Sequence, residues 1–473
     1  MLLITALGVL VCTLSPLSFD STEHASVWEA LLVGIGPDLS LDIAGNVLLF
    51  LPPGFALAMY LGDHRVERAA GAAAVFGVAF AASYSVEVLQ HFVPGRFASL
   101  SDVLANTAGA GFGLFCHRLW RGDRGWLPAS AFSLAAVLTS IPLQWGTTLH
   151  NWDPAYPLLV GNEQTGDRPW HGRVRDLTIL DRALSGSEVS ALFRSESEVD
   201  PSDPSLVASY DLTQSCPCPD GAENAPPLEP KTLHRRTGGR MHRDGADGTE
   251  SWLGTAEPAA AVVERIRRSS AFTLAATVAM TVEEGRGPSA RIVSLSVDGG
   301  HRNVTMGQTG QDLVVRLRTL LTGSGGARPA LIVRDVFSAG GVRRLVVTFD
   351  GRDLLAYVDG DPAGTIRFGL GTAALAPILG LNARVFPFYE AVYYTMTFVP
   401  VGLLFSLAAA RSPRLAGGAA AMGAVVAFAV ALELALVLTS HRPPAGFTLL
   451  WSLVPGAAGA AIARVPLASW VVR

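Results

Sequence analysis

Seven polar or charged side chains stand within otherwise apolar stretches near the amino terminus. The set comprises Asp42, Asn46, Glu87, Gln90, Arg96, Asp102 and Asn106. Members four residues apart, such as Asp102 and Asn106, lie on one face of a helix. Because a charged group inside a bilayer is unfavourable by several kilocalories per mole, each such group needs a partner or a purpose. Carboxylates beside an arginine are suited to acid–base chemistry or to binding an anionic head group.

We consider two interpretations of this set. In the functional one, Glu87 and Asp102 are the acid–base groups, and Arg96 and Asn46 bind an anionic head group. The remaining members, Asp42, Gln90 and Asn106, line the same pocket. In the structural one, the polar groups only join helices by hydrogen bonds. Such bonds contribute roughly 0.6 kcal/mol each and account for one or two residues more readily than for a converging set.

Composition indicates which elements position these side chains. The 473 residues have a mean hydropathy of +0.35 and only 16% charged residues, against about 25% in a typical soluble protein. Stretches such as 43–62 and 127–149 contain no Asp, Glu, Lys or Arg, whereas residues 150–385 are rich in Arg, Asp, Gly and Thr. We therefore expect membrane-buried ends and a soluble middle. A net charge of −4 gives no indication of nucleic-acid binding.

The apolar stretches predict eight membrane-spanning helices. They cover about 1–17, 42–62, 69–91, 101–118, 127–146, 387–410, 415–438 and 446–465. A signal peptide is the alternative for 1–17. That stretch lacks a basic start and a small-residue cleavage site, so we favour an uncleaved helix.

Arginine placement predicts the orientation of the chain. If the eight helices alternate, most loop arginines fall on one side of the bilayer. They are Arg65, Arg68, Arg118, Arg121, Arg124, Arg411, Arg414, Arg464 and Arg473. The positive-inside rule then places both termini in the cytoplasm and residues 150–385 outside. The seven polar side chains would open toward that outer face.

The polar residues also carry a resemblance to a known family. The run Asp42-x3-Asn46-x3-Phe50-x-Pro52-x-Gly54, followed by Glu87-x2-Gln90, Arg96 and Asp102-x3-Asn106-x2-Gly109-x3-Gly113, resembles the VanZ-like bacterial membrane proteins over about residues 40–118. The family is named for a member linked to glycopeptide antibiotic resistance. The resemblance implies a multi-pass bacterial plasma-membrane protein with a cell-envelope role, and it implies no particular reaction.

The last helices echo the first ones. Glu390-x3-Tyr394-x3-Phe398-x-Pro400-x-Gly402 aligns with the Asp42–Gly54 run, and Arg442 follows Glu433 at the spacing by which Arg96 follows Glu87. We interpret residues 386–473 as a second, degenerate three-helix VanZ-like repeat, parallel to the first. The loss of Asn46 to Tyr394 assigns any active pocket to the first copy.

Residues 150–385 alternate short β-prone runs with Gly, Asp and Pro turns, which predicts an all-β jelly-roll sandwich. The predicted strands are 206–212, 272–281, 292–297, 313–317, 330–333, 344–349 and 354–358. The hairpin at 346–360 resembles laminin-G-like, concanavalin A-like lectin domains. Residues 161–185 resemble the closing segment of those domains although they come first, which predicts a circular permutation with both ends at the membrane.

The lectin resemblance implies carbohydrate binding. Trp152, Trp170 and Trp252 are candidates for stacking on sugars, although single tryptophans are more often core residues. We expect no cofactor, with Ca²⁺ in the sandwich as the alternative, because no loop is dense in carboxylates. The paired acids of a glycoside hydrolase are not recognisable.

The predicted organisation is a first helix with its outer loop (1–40), a VanZ-like domain (41–120), a further helix (121–149), the sandwich (150–385) and a three-helix domain (386–473). The leading prediction is an envelope protein whose sandwich recognises a glycan or a protein. The alternative is an enzyme acting on a lipid-linked envelope substrate, so the sequence leaves catalysis open. A solute transporter is less favoured, because no pair of broken helices is evident.

Overall fold

A computed structural model provides the fold. It describes residues 9, 39–90, 99–121, 126–194, 199–214, 216–232, 251–280, 289–338, 340–411, 418–440, 444 and 446–462. The predicted first span, 1–17, therefore lies outside the described residues except for Val9. Arg96 and the arginines at 124, 414, 442, 464 and 473 also lie outside them.

Four long helices precede the sheets within residues 39–145, apart from the undescribed positions 91–98 and 122–125. They are α1 (Leu39–Asp63), α2 (Arg68–Gln90), α3 (Leu100–Arg121) and α4 (Trp126–Trp145). A helix satisfies its own backbone hydrogen bonds, and 20 residues extend about 30 Å, the thickness of the hydrocarbon layer. Within the described residues, α1, α2 and α4 are long and apolar enough to cross a membrane. α3 is also long enough, but its Ser, Asn, Thr and Gly residues lower its hydropathy.

The middle of the chain forms two antiparallel sheets with two short helices. The elements are β1 (Leu158–Val160), β2 (Gly172–Leu180), α5 (Gly186–Arg194), β3 (Leu206–Asp211), β4 (Leu228–Thr232), β5 (Ser251–Thr255), α6 (Ala260–Ser269), β6 (Phe272–Met280), β7 (Ala290–Ser296), β8 (Arg302–Thr309), β9 (Asp312–Leu317), β10 (Leu331–Val333), β11 (Val342–Phe349), β12 (Asp353–Val358) and β13 (Asp361–Arg367). Seven strands form one sheet in the order β10-β9-β8-β7-β1-β5-β4. Six strands form the other in the order β13-β12-β11-β6-β2-β3.

A continuous apolar core lies between these sheets. Alternate residues of each strand face it, as the period of two requires, and Val293, Met306 and Val315 are examples from three neighbouring strands. The seven strands predicted from the sequence are all present, with ends that differ by a few residues. The predicted hairpin is also present, because β11 pairs with β12.

Five helical elements follow the sheets in the described part of the chain. They are α7 (Leu370–Leu379), a 3-10 turn (Ala383–Val385), α8 (Phe386–Arg411), α9 (Gly418–Ser440) and α10 (Gly446–Ile462). α8 and α9 are long and apolar enough to cross a membrane, and α10 is shorter. The sequence prediction assigned 370–379 to the sandwich. Instead α7 is an apolar helix that places Leu370 and Ala373 in the helical core and Leu375 in the sandwich core.

Two sets of three helices, α1–α3 and α8–α10, are called here the first and the second triplet. Glycines allow the first and third helices of each triplet to approach closely. A methyl group on Gly54 would overlap the backbone of Ala110, and one on Gly113 would overlap the carbonyl oxygen of Leu51, so α1 and α3 pack backbone to backbone. α8 and α10 show the same kind of contact. There, a methyl group on Gly402 would overlap the carbonyl oxygen of Gly456.

A line of aromatic rings joins the sandwich to α8. Neighbouring ring centroids lie 5.5–6.4 Å apart along Trp152, Phe272, Phe349, Phe368, Phe386 and Tyr389. A second joint lies at the end of α4, where the Thr147 hydroxyl donates to the carbonyl oxygen of Gly351 at 3.1 Å. The sandwich core is therefore continuous with the first turn of α8, which holds the two parts of the molecule together.

Candidate functional site

Glu87 occupies a buried position in the last turn of α2. Its side chain is only 2% exposed, and its carboxylate accepts a hydrogen bond of 2.9 Å from the backbone N–H of Ser99. Ser99 immediately precedes α3, whose first N–H groups have no partner within the helix. A carboxylate is favourable at that end of a helix because of the helix dipole. Glu87 therefore connects the end of α2 to the start of α3.

A second polar contact lies one turn deeper between the same two helices. The Asn106 amide donates a 2.8 Å hydrogen bond to the hydroxyl of Ser83, a fully buried residue one turn before Glu87. The other amide atom, Oδ1 of Asn106, is buried and accepts no hydrogen bond from any residue that the structure describes. A buried acceptor without a donor is unfavourable by about 1–3 kcal/mol, so a ligand hydroxyl or a water would find a partner there.

The remaining predicted residues are placed only in part. Asn46 and Gln90 are buried, and Asp102 is partly exposed in the first turn of α3. Asp42 lies in α1, but its side chain is outside the described part of the structure, as is the whole of Arg96. The structure thus brings Glu87 and Asn106 to one helix–helix interface, while the convergence of the full set stays a prediction.

Sequence reasoning missed two residues of this interface. Ser83 partners Asn106, and the Ser99 backbone partners Glu87. Ser83 had a usable signal, because it stands four residues before Glu87 and therefore on the same face of α2. The role of Ser99 had no signal in the sequence, since it depends on how the backbone enters α3.

The second triplet holds its two glutamates differently. Glu433 accepts a 2.7 Å hydrogen bond from the hydroxyl of Thr448, across the α9–α10 interface. Glu390 is buried and accepts a bond of 2.8 Å from the backbone N–H of Thr372, in the first turn of α7. Glu390 therefore joins α8 to α7, a helix that the sequence analysis did not predict.

An open cleft of about 970 Å³ lies on the six-stranded sheet beside α5. Its lining combines charged, hydroxyl and aromatic groups: Asp181, Arg182, Glu188, Arg265, Arg268, Asp350 and Tyr357. Arg265 pairs with Asp181 at 2.8 Å, and Arg182 pairs with Glu188 at 2.7 Å. Burial raises the pKa of Asp350. Arg268 is exposed and, within the described residues, has no hydrogen-bonding partner.

The cleft lies close to the end of α4. Gly351, the neighbour of Asp350, accepts the hydrogen bond from Thr147, and Arg267, the neighbour of Arg268, donates to the carbonyl oxygen of His150 at 3.1 Å. Two walls of the cleft are therefore anchored where the chain leaves the helices.

The tryptophans proposed for sugar stacking are core residues. Trp152, Trp170 and Trp252 are 2%, 7% and 7% exposed. The indole N–H of Trp152 donates to the carbonyl oxygen of Arg318, and that of Trp170 donates to the side-chain oxygen of Gln308. Their faces are covered by the sandwich, so they offer no platform for a ligand. Among the described side chains, no group of three His, Cys, Asp or Glu residues is arranged to hold a metal ion.

The helices that carry Glu87 and Asn106 fall within a stretch that comparison with protein families identifies. Residues 3–121 match the model of the VanZ/LLP1 family. The VanZ/LLP1 match covers α1, α2 and α3, about a quarter of the chain, and it includes the whole 40–118 stretch whose residues carried the resemblance. No curated protein and no solved structure matches the chain. The family comparison thus supports a membrane protein related to the cell envelope.

Proposed function

We propose that this protein is an envelope receptor in the bacterial plasma membrane, whose sandwich recognises an envelope glycan at the outer membrane surface. The observation that carries the proposal is the cleft, because its volume is in the range of small-molecule sites and its lining suits hydroxyl-rich ligands. Carboxylates accept from sugar hydroxyls, guanidinium groups donate to them, and a tyrosine offers an apolar edge. A protein partner is the alternative ligand.

Binding of the full-length protein in lipid nanodiscs to an array of envelope glycans and peptidoglycan fragments tests the proposal. The array is read once with Ca²⁺ and once with a chelator. We expect saturable binding that Arg268→Gln weakens, because the exposed Arg268 guanidinium lines the cleft and has no hydrogen-bonding partner among the described residues. Arg328→Gln is the matched control, since Arg328 is also exposed but does not line the cleft. Equal binding by both variants, or none by the wild type, would contradict glycan recognition in the cleft.

We further propose that the sandwich is a circularly permuted relative of laminin-G-like, concanavalin A-like domains. The two packed antiparallel sheets support this, as does the position of β1 and β2, which come first in the chain but lie in the interior of the two sheets. The contacts at Leu149 and Phe386 with the same apolar core support the expectation that the two ends of the domain lie together at the membrane.

The two helix triplets are, in this proposal, parallel copies of one unit. The glycine contacts support it, because Gly113 meets the carbonyl oxygen of Leu51 in the first triplet and Gly459 meets that of Val399 at the aligned position of the second. Gly77 and Gly423 occupy aligned positions as well, in α2 and α9, and both face open space.

The orientation is part of the same proposal, with both termini in the cytoplasm and residues 150–385 outside. The Arg118 guanidinium donates to the carbonyl oxygen of Arg68, so the basic ends of α2 and α3 meet. α4 starts five residues after α3 ends and joins the sandwich at its other end. The sandwich and the basic loops therefore lie at opposite ends of the helices, as the positive-inside rule requires. The disulfide between Cys216 and Cys218 also suits an oxidising compartment.

The second candidate function is an enzyme acting on a lipid-linked envelope substrate. The observation that favours it is the Asn106 carbonyl oxygen, which is buried near Glu87 without a donor in the described structure. Glu87 or Asp102 would be the acid–base group, with Arg96 and Asn46 holding an anionic head group. Loss of function in Glu87→Gln at unchanged protein levels would support this candidate over the receptor.

A further inference from the structure

The outer face of the seven-stranded sheet carries a buried polar patch. Ser294 of β7, Thr305 of β8 and Arg316 of β9 stand opposite one another in the register. Directly opposed residues of antiparallel strands project from the same face. In the next row, Ser296 stands opposite Arg302. This face points away from the apolar core, to which the alternate residues of the same strands belong.

One carboxylate serves this patch from the loop after β1. Glu163 is fully buried and accepts hydrogen bonds from the Ser296 hydroxyl and, at 2.8 Å, from Nε of Arg291. Nη1 of Arg291 donates to the carbonyl oxygen of Ser289 at 2.7 Å. Glu163 and Arg291 thus form a satisfied ion pair, which neutralises one of the arginines.

No described carboxylate forms an ion pair with Arg302. Its side chain is 3% exposed, yet neither Nε nor Nη1 has a hydrogen-bonding partner in the part of the chain that the structure describes. The hydroxyl of Thr305 on the same strand is also buried without a partner among those residues. Buried polar groups are nearly always paired, and an unpaired buried charge is strongly unfavourable.

Among the described residues, the charge around Arg302 is positive in excess. Arg168, Arg291, Arg302 and Arg316 lie together, and the described carboxylates beside them are the buried Glu163 and the largely exposed Asp167. Burial and repulsion from Arg291 and Arg316 lower the pKa of Arg302 to about 10. An anion between these guanidinium groups would remove the repulsion and supply the missing acceptors.

We propose that this arginine cluster is a second binding site of the sandwich, on the opposite sheet from the cleft, and that it takes a carboxylate or phosphate group, either free or carried by a sugar. The inference goes beyond the proposed function and does not depend on it. Carboxylate and phosphate groups share the required chemistry, because both present paired oxygens to the donor fork of an arginine, and serine or threonine hydroxyls donate to either. Arg168 and Arg316 are partly exposed and form the side of the cluster that is open to solvent.

Matched sugars test the proposal on the full-length protein in nanodiscs. Glucuronate and glucose 6-phosphate each carry an oxyanion that glucose lacks, and inorganic phosphate and acetate supply the anions alone. We expect the charged sugars to raise the thermal midpoint of the wild type and glucose to have no such effect. The charged sugar that raises the thermal midpoint more identifies the preferred oxyanion as carboxylate or phosphate.

Variants separate a binding role from a structural one. Arg302→Gln should weaken binding of the charged sugars by about tenfold or more, since it removes charge-assisted hydrogen bonds. In anion-free buffer the same variant should unfold no earlier than the wild type, because it removes an uncompensated buried charge. Arg316→Gln serves as a second variant. Arg343→Gln is the control, since Arg343 lies in the other sheet and pairs with Asp359.

The outcomes are distinct for the inference and for the proposed function. Equal responses of wild type and Arg302→Gln to every oxyanion, or an early unfolding of Arg302→Gln without anion, would overturn the anion site. Binding of neutral glycans alone would do the same while leaving glycan recognition intact. A response to inorganic phosphate without any response to charged sugars would keep the anion site and identify the free anion as its ligand, while glycan recognition in the cleft is tested separately by Arg268→Gln.

Discussion

At the scale of single residues, the buried glutamates Glu87 and Glu390 each accept a hydrogen bond from a backbone N–H group of another helix or its start. Glu87 uses its carboxylate as an acceptor for a backbone N–H at the start of α3. An amide oxygen can accept the same bond, whereas an apolar side chain cannot. The two replacements therefore separate the contribution of the acceptor from that of the negative charge.

We predict that Glu87→Gln leaves the thermal midpoint of the detergent-solubilised protein nearly unchanged. Glu87→Leu should destabilise it by about 1–3 kcal/mol, because the Ser99 N–H loses its buried acceptor. Thermal unfolding followed by intrinsic fluorescence measures both variants. Equal destabilisation by Gln and Leu would show that the charge, and not the acceptor, holds α2 to α3.

Glu390 provides a second test at this scale, at the junction of α7 and α8. We predict that Glu390→Ala destabilises the protein by about 1–3 kcal/mol, because the buried backbone N–H of Thr372 loses its acceptor. Thr372→Val removes only the hydroxyl bond of 3.1 Å and should have a smaller effect, about 1 kcal/mol. Thermal unfolding measures both variants, and a larger effect from Thr372→Val would contradict this account of the junction.

At the scale of elements, each triplet contains two helices whose backbones are in direct contact at glycine residues, α1 with α3 and α8 with α10. We predict that Gly113→Leu and Gly459→Leu each prevent accumulation of folded protein, since the new side chain would occupy the backbone of the facing helix. Size-exclusion chromatography after detergent extraction measures the folded fraction.

Gly77→Leu and Gly423→Leu are the matched controls for those variants. Both glycines lie within long helices and face open space, so leucine should be tolerated and should even favour the helix by about 1 kcal/mol. Normal yields of Gly113→Leu would contradict the close approach of α1 and α3.

The elements also show how far sequence patterns reach. Long apolar runs predicted the long described helices, and alternating β-prone runs predicted seven of the thirteen described strands, because burial in lipid or in a sandwich imposes those patterns. The sequence analysis did not predict β1, β2, β4, β5, β8 and β13. In β8, the buried Arg302, Asn303 and Thr305 read as surface residues. α7 lies within residues 150–385, which were assigned to the sandwich as a whole, and no element was predicted for its ten residues.

The sequence predicted which residues of the candidate site lie on one face of a helix. It did not predict the hydrogen-bonding partners of those residues. The spacing of Glu87 and Asn106 indicated inward-facing positions, which both residues occupy. Their partners, Ser83 and the Ser99 backbone, depend on the relative height of α2 and α3. The arginine cluster was not predicted either, because Arg168, Arg302 and Arg316 come from separate parts of the chain and meet only in the folded sandwich.

At the scale of the whole molecule, orientation is the property that determines which ligands are within reach. We predict that a cysteine introduced by Arg328→Cys reacts with a membrane-impermeant maleimide on intact cells. A cysteine introduced by Glu67→Cys, in the exposed loop between α1 and α2, should react only after permeabilisation. Labelling of the two positions in the opposite pattern would invert the proposed orientation.

The line of aromatic rings from Trp152 to Tyr389 sets the height at which the sandwich can work. A domain on flexible tethers samples a wide shell of distances, whereas rings packed in series from the sandwich into α8 allow it no such travel. In the proposed orientation, this packing would hold the cleft beside the end of α4 at a fixed elevation above the bilayer. Only molecules that come to that elevation, or that are themselves anchored in the outer leaflet, would then reach it. A receptor built in this way would select its ligands by their distance from the membrane as well as by their chemistry.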